Sequence, residues 1–507
     1  MRRLWVITVL VTVSIVGAVS AGRAQQPQYG GVLKMIQAAG PQVLGYYPEM
    51  GPTDAYADYP CAERMMDLSD QRKLVPFLAE SVDMNEKQMT VTFHLRKGIK
   101  FHDGSDLDAQ AVAWNYQLYK DTKKMQFADQ IKSIEVVDPL TVVLHLLSYH
   151  NQLPLAYGWI PIFSKVAYET KGKEWCRAHP VGTGPFKLAE WVRDDHIKWE
   201  KFDGYWQKGR PYLDGIEVRY VPEAMTASAM MQAKEADVWV GPEAKDQAAL
   251  EKQGFIRKAY WASLPAMIYV NTKNPAGPMA NLKVREAVEY AIDKGAIAKA
   301  VGFGYYTPLK MMHPEAEWAY DPDWPGRPYN PAKARQLLAD AGYAKGLKLK
   351  LLAVAGIGGG QNTATAVKAY LADVGIDVDV DMADPGRYFG SLFGTGWDDM
   401  ILSFNGIDLN SLGTIEAWYG HKPKTSLASL KISDTLLAMS RESVMYKSEA
   451  DQAAAARKMS RYISEEALLI PLFSMPAAYV LQPWVHTDYY KQGLYRWKMF
   501  DMWMDKH

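Results

Sequence analysis

From Leu282 to Val480 the chain alternates helical and extended patterns, and this alternation limits the fold more than any other feature. Leu282–Ile292 and Pro331–Ala341 carry helical periodicity, then strand (347–355), helix (363–374) and strand (376–381) follow in turn. A long helix over 451–466 precedes strands at 468–474 and 477–480. Strand–helix alternation of this kind predicts α/β layers.

The earlier part is richer in strands. Extended segments are expected at 31–36, 74–79, 89–95, 186–191, 196–201 and 215–221, with short ones at 237–240 and 267–270. Val91, Phe93 and Leu95 alternate with Thr92 and His94, the period of a half-buried strand. Asp138-Pro139 between two extended runs signals a hairpin. Asp106 or Asp108 caps a helix over 109–119, another helix covers 224–234, and the Gly- and Pro-containing stretch 40–59 reads as loop.

The first residues differ from the rest. Arg2 and Arg3 precede an apolar run from Leu4 to Val19, and Gly22-Arg23-Ala24 or Val19-Ser20-Ala21 offers a small-residue exit. That order is a secretory signal, and the run is shorter than the ~20 residues that span a bilayer. No Cys lies near the exit to carry a lipid. Cleavage after Ala24 removes three of the 57 basic residues and none of the 57 acidic ones, so the mature chain carries a net charge of −3. Such a balance gives no basic excess for nucleic acid. Outside the cytoplasm, the two cysteines, Cys61 and Cys176, are free to pair or to remain thiols.

Five blocks carry a resemblance to a known family. They are Leu95–Gly104 with 105–112; Val181-Gly-Thr-Gly-Pro-Phe-Lys-Leu188 with Tyr205-Trp206 and Pro211–Ile216; Tyr269–Lys273 with Val284–Val288 and Tyr290–Asp293; Tyr329–Ala334 with Leu337-Leu338 and Ala341-Gly-Tyr343; and Tyr370-Leu371 with Val374-Gly-Ile376. In this order and spacing the chain resembles family 5 of the extracellular solute-binding proteins of ABC transporters, the dipeptide-, oligopeptide- and nickel-binding family. The resemblance implies a two-lobed fold like the periplasmic binding proteins (type II, the three-subdomain cluster C), with a central cleft and a two-segment hinge. It places a signal peptide at 1–24, lobe I at 25–46, 180–266 and 477–507, an extra subdomain of lobe I at 47–179, and lobe II at 267–476. Hinge crossings are expected near 267–271 and 475–479. The implied function is capture of a peptide-like or other polar organic solute in the periplasm and its delivery to permease subunits in the membrane. The protein is then a monomer with no cofactor, no metal, no catalytic residue and no nucleic-acid partner. An oligosaccharide ligand is the alternative, and nickel or haem loading stands third.

Candidate ligand contacts follow. Gly356-Ile-Gly-Gly-Gly360-Gln361 lies between strand and helix; Gln361 breaks the dinucleotide fingerprint, but Gly359 and Gln361 sit where helix N–H groups favour a carboxylate. Tyr46, Tyr47, Trp261, Phe404, Trp418 and Tyr419 are the aromatic candidates, against the plainer reading of core packing. In the segment 400–410, the resemblance places on Asp408 the carboxylate that pairs with a peptide ammonium, with Asn405 beside it. The aromatic-Pro-Asp-Pro run that follows in the family is replaced here by Leu409-Asn410-Ser411-Leu412, and a helix cap is the other role open to Asp408. Phe101-His102-Asp103-Gly104 and Gly182-Thr-Gly-Pro185 read as turns, and Asp194-Asp195 and Asp398-Asp399 as solvated edge charges. The chain carries no His-Glu-x-x-His helix, no Gly-x-Ser-x-Gly elbow and no phosphate loop, so a secreted hydrolase lacks its machinery.

Overall fold

The computed structural model describes residues 26–50, 54, 57–69, 73–315, 317–354, 359–404, 411–420, 427–487 and 498–506, with the backbone alone at 260–263. The expected signal segment, 1–24, lies outside them.

Ten strands build the main sheet: β1 (Val32–Gln37), β2 (Phe186–Val192), β3 (His196–Lys201), β4 (Gly215–Tyr220), β5 (Val238–Val240), β6 (Ile256–Val270), β7 (Leu347–Val354), β8 (Ile376–Ala383), β9 (Met400–Phe404) and β10 (Leu469–Leu481). Their order is β2-β3-β4-β1-β5-β10-β6-β9-β7-β8, and the short strand Thr307–Pro308 pairs with β10. β1, β4 and β5 run parallel, as do β7, β8 and β9. Side chains alternate between two cores. Leu349, Leu351 and Ala353 enter one, Leu352 and Val354 the other. Both faces of the sheet are covered there, and Leu351–Val354 at the end of β7 form a continuous apolar run, whereas β8 at the sheet edge alternates with exposed Asp377 and Asp379.

The most consequential difference from the sequence reading concerns the long strands. The short strand expected at 267–270 is the end of the 15-residue β6, and the two expected at 468–474 and 477–480 are one strand, β10. β10 contains two prolines. Pro476 lies opposite Ser263 and Pro471 opposite Met267, and both pairings adjoin register irregularities, where a missing ladder N–H does least harm. Met267–Val270, where one crossing is expected, pair with β9 and are buried, and the register of β6 against β10 shifts just before them, between Ala259 and Ser263 and between Ala266 and Met267.

The connection from β1 to β2 holds a second, four-stranded antiparallel sheet. Its strands, Ala79–Asn85, Thr90–Leu95, Thr141–Leu146 and Ile131–Asp138, pair in that order, and helix α1 (Ala109–Thr122) packs against them. Asp108 accepts from the Ala111 N–H at 2.8 Å and caps α1, while Asp106 pairs with Lys100 instead. The other helices used below are α2 (Gly360–Ala372), α3 (Ser411–Tyr419), α4 (Asp434–Ser443) and α5 (Glu449–Glu465). No described helix is long and apolar enough to cross a membrane. Cys61 and Cys176 are both buried free thiols.

Candidate functional site

The register of β6 and β10 locates the cleft. Val240, the carboxyl end of β5, lies opposite Tyr479. Phe404, the carboxyl end of β9, lies opposite Ala266, which faces Phe473. Tyr479 and Phe473 are six residues apart, about 20 Å along a strand. Gln37 and Tyr220 end beside Val240, and Val354 and Ala383 end on the side of Phe404, because each group is parallel. Two sets of strand carboxyl ends thus face each other across the middle of β6 and β10. In open α/β sheets this is where ligands sit.

On the far wall, the chain leaves β7 at Val354 and re-enters at Gly359, whose φ of +74° is open to glycine and strained for other residues. Gly360 starts α2 so close to the sheet that a Cβ there would stand 2.8 Å from the Val354 carbonyl oxygen and 3.6 Å from the Phe404 ring. Gly359, Gln361 and Phe404 are therefore neighbours, with Gln361 exposed and Phe404 half-buried. The N–H groups at the start of α2 can donate to a carboxylate, and the Phe404 ring supplies an apolar floor. Asn405 and Asp408 lie outside the described residues. Of the described residues that flank them, Phe404 ends β9, and the Ser411 hydroxyl donates to buried Glu317 at 2.7 Å. Nearby His313 is fully buried, and desolvation lowers it to about 3, so it is neutral.

Trp418 is half-buried and stacks on Phe393 at 5.6 Å between centroids. Phe393 stacks on Phe389 at 6.3 Å, and Phe389 keeps 46% of its surface exposed. Sequence reasoning passed over Phe389 and Phe393; their i, i+4 spacing, which places two rings on one helical face, was the available signal. Trp261 lies in β6 at the register irregularity, and its side chain is not described.

Three other aromatics are corrected to packing. Tyr47 is buried in the small-sheet core, edge-on to Phe163 at 5.3 Å. Tyr46 stacks on Tyr168 at 5.9 Å under the Lys173 ammonium. Tyr419 is fully buried against Tyr269 at 6.4 Å. Each ring's faces are taken by protein.

The turn motifs behave as turns. His102 donates from Nε2 to the Gly184 carbonyl at 2.9 Å and packs edge-on to Phe202; burial lowers it to about 4. A Cβ on Gly182 would lie 2.1 Å from the Cys61 carbonyl oxygen. Asp398 pairs with Lys350 at 3.0 Å, and Asp399 accepts from the Lys350 N–H. No local pattern signals Glu63, which is buried and pairs through its backbone with Ile162. Thr183, Tyr205 and Trp206 all donate to it, yet burial raises its carboxyl to about 7. The adjoining cavity, between Arg64, Asp67, Phe77 and Phe500, measures about 30 Å³, room for little more than one water.

The family model of the bacterial extracellular solute-binding proteins, family 5 (Middle), matches residues 73–426. The glutathione-binding protein GsiB of Escherichia coli O1:K1 / APEC is 36% identical over 339 residues, 66% of this chain and 65% of that protein's length. Among solved structures, the periplasmic binding protein DppA of Helicobacter pylori in complex with the peptide STSA superposes with a TM-score of 0.82 at 22% identity, covering 94% of this chain and 99% of that one. The oligopeptide-binding protein AppA of Bacillus subtilis in complex with a nonapeptide gives 0.82 at 22% identity, over 95% of this chain and 100% of that one. The periplasmic binding protein fold is shared with both.

Proposed function

Since the chain belongs to the bacterial extracellular solute-binding proteins of family 5, we propose that it captures a small peptide-like solute, glutathione being the first to test, and hands it to an ABC importer's permease. The observation that carries this reading is the facing of strand carboxyl ends across the middle of β6 and β10. Lobe I comprises 25–46, 180–266 and 477–507, with the subdomain 47–179 attached; lobe II is 267–476. The lobe boundaries at 266 and 476 lie beside the register irregularities, where a few residues can absorb a rotation. Binding is by closure over the solute and exclusion of water, with no chemical step and no cofactor. The working compartment is outside the cytoplasm, and the mature chain starts near Gln25.

Gly359, Gln361, Phe404, Asn405, Asp408 and Trp418 form the lobe II wall of the site in this reading, with Trp261 at the crossing. Asp408 pairs with the solute's ammonium. Calorimetry with reduced glutathione, a panel of di- and tripeptides and a malto-oligosaccharide tests it. Binding of glutathione or a peptide, with a fall in radius of gyration by small-angle scattering, is the expected result. Asp408→Asn then leaves one partner of a buried pair alone, which costs about 3–5 kcal/mol, or two to four orders of magnitude in affinity. Binding of the sugar alone, with Trp418→Ala more damaging than Asp408→Asn, overturns the peptide reading.

A further inference from the structure

The region of the small sheet reaches across to the second half of the molecule at Asn151, beside the Lys447–Glu86 pair and a longer Lys73–Glu449 approach of 4.0 Å. The backbone N–H of Asn151 donates to the Val444 carbonyl at 2.9 Å. Its side-chain Nδ2 donates to the carbonyls of Ser443 at 2.8 Å and Tyr446 at 3.0 Å. These acceptors are the end of α4 and the turn that follows it, where helical carbonyls lose their intrahelical partners. The orientation of the amide is set from behind. Buried Gln152 donates to the Asn151 Oδ1 at 2.7 Å, which leaves the two N–H bonds to face the carbonyls. Flanking this contact, Lys447 pairs with Glu86 of the small sheet at 2.8 Å.

We propose that Asn151 is the latch of the closed form: a positioning residue that seals the rim of the cleft by capping α4 from the opposite lobe, and so governs how long a solute is held. The inference rests on the closure reading above. It joins residues 292 to 295 positions apart in sequence, through main-chain carbonyls at the end of one helix. Its chemistry is directional. Only a donor satisfies three carbonyls at the negative end of a helix dipole; a carboxylate of the same shape is repelled there.

The test places spin labels at Lys87→Cys and Arg457→Cys, both exposed positions on the two sides of the rim, with the buried native thiols left unlabelled. Pulsed dipolar distances are measured in the solute-free chain and with reduced glutathione. The wild type is expected to show a short, narrow population. Asn151→Ala shifts it to longer distances, and Asn151→Asp shifts it further although its shape is unchanged. Thermal midpoints of both variants stay near wild type, because the contact joins two units that are folded already. If glutathione binds, Asn151→Ala raises its dissociation constant about tenfold, the scale of two lost hydrogen bonds. The latch is overturned if the wild type lacks the short population, or if Asn151→Ala leaves the distribution unchanged. Failure of glutathione to bind counts against the proposed solute and leaves the solute-free distances to decide the latch.

Discussion

Between Ala266 and Val270 the second half of the sheet is tied to β10 and β9 by backbone pairing on both sides, whereas around Asn151 the two halves touch through that residue's three hydrogen bonds and the exposed pairs Lys447–Glu86 and Lys73–Glu449. At the first meeting, Ala266, Ile268, Val270, Ile470 and Phe473 are fully buried, and separating them would expose a core. At the second, Lys447 and Glu86 keep most or much of their side chains in water, and parting them exposes almost nothing apolar. A joint that must bend without parting needs continuous backbone with a local irregularity, which β6 and β10 have at 260–262. A joint that must part and re-form needs contacts whose loss water can compensate. The difference between the two meetings is what a hinge and a rim require.

The largest effect is expected from breaking the first meeting. Phe473 lies on β10, fully buried, stacked on Tyr306 at 5.2 Å. Phe473→Ala should cost about 3–5 kcal/mol of stability, the lost transfer energy plus the cavity. Denaturant unfolding checks it. A loss under about 1 kcal/mol, well below that range, would mean that Phe473 does not belong to the packed core that the second half of the sheet builds beside the crossing.

A smaller effect sits beneath the rim. Glu416 of α3 is buried and accepts from Ser440 at 2.8 Å and Ser443 at 3.3 Å, both on α4, the helix that carries the latch carbonyls. Burial raises its carboxyl to about 7. A carboxyl with a raised folded pKa binds its proton in the native state where the unfolded chain has released it. Stability therefore falls as pH rises from about 4.5 to about 7 and levels off above. Glu63 and Asp58, raised to about 7 by burial, slope the same way. His102 and His313, lowered by burial, oppose them below about 6.5, where stability is lost as pH falls. Glu416→Gln should remove its share of the decline, up to about 3 kcal/mol between the two ends of that window. Stability curves at pH 4.5 and 7.5 for both chains are the measurement; identical differences would show Glu416 ionised in the fold.

How far the sequence revealed these features follows from the range of each interaction. The helix cap at Asp108, the alternation of Val91, Phe93 and Leu95, and the turn at Gly104 are local, and local pattern reveals them. β6 and β10 were read in pieces, because their continuity depends on pairing between residues some two hundred positions apart, which absorbs both prolines at register irregularities. The aromatic candidates divided for the same reason. Nothing local distinguishes Tyr47, buried against Phe163, from Trp418, half-buried on Phe393. Asn151 carried no signal at all. Its partners are main-chain carbonyls, and a carbonyl has no letter in a sequence.

The smallest effect belongs to the ion pair beside the latch. Lys447 and Glu86 approach to 2.8 Å, but the lysine side chain is 73% exposed, so water and salt compete for both charges. If the rim parts and re-forms as its exposure suggests, Lys447→Met should leave the thermal midpoint unchanged and speed solute release by no more than about threefold, the scale of an exposed pair. That acceleration should vanish in 1 M salt, where the Debye length is about 3 Å and the wild type loses the pair as well. The hydrogen bonds of Asn151 carry no net charge and should keep their effect at the same salt concentration. Stopped-flow release rates for Lys447→Met and Asn151→Ala at low and high salt therefore separate the two contributions. Equal salt sensitivity in both variants would mean that the rim is held by its charges, and that the amide of Asn151 only accompanies them.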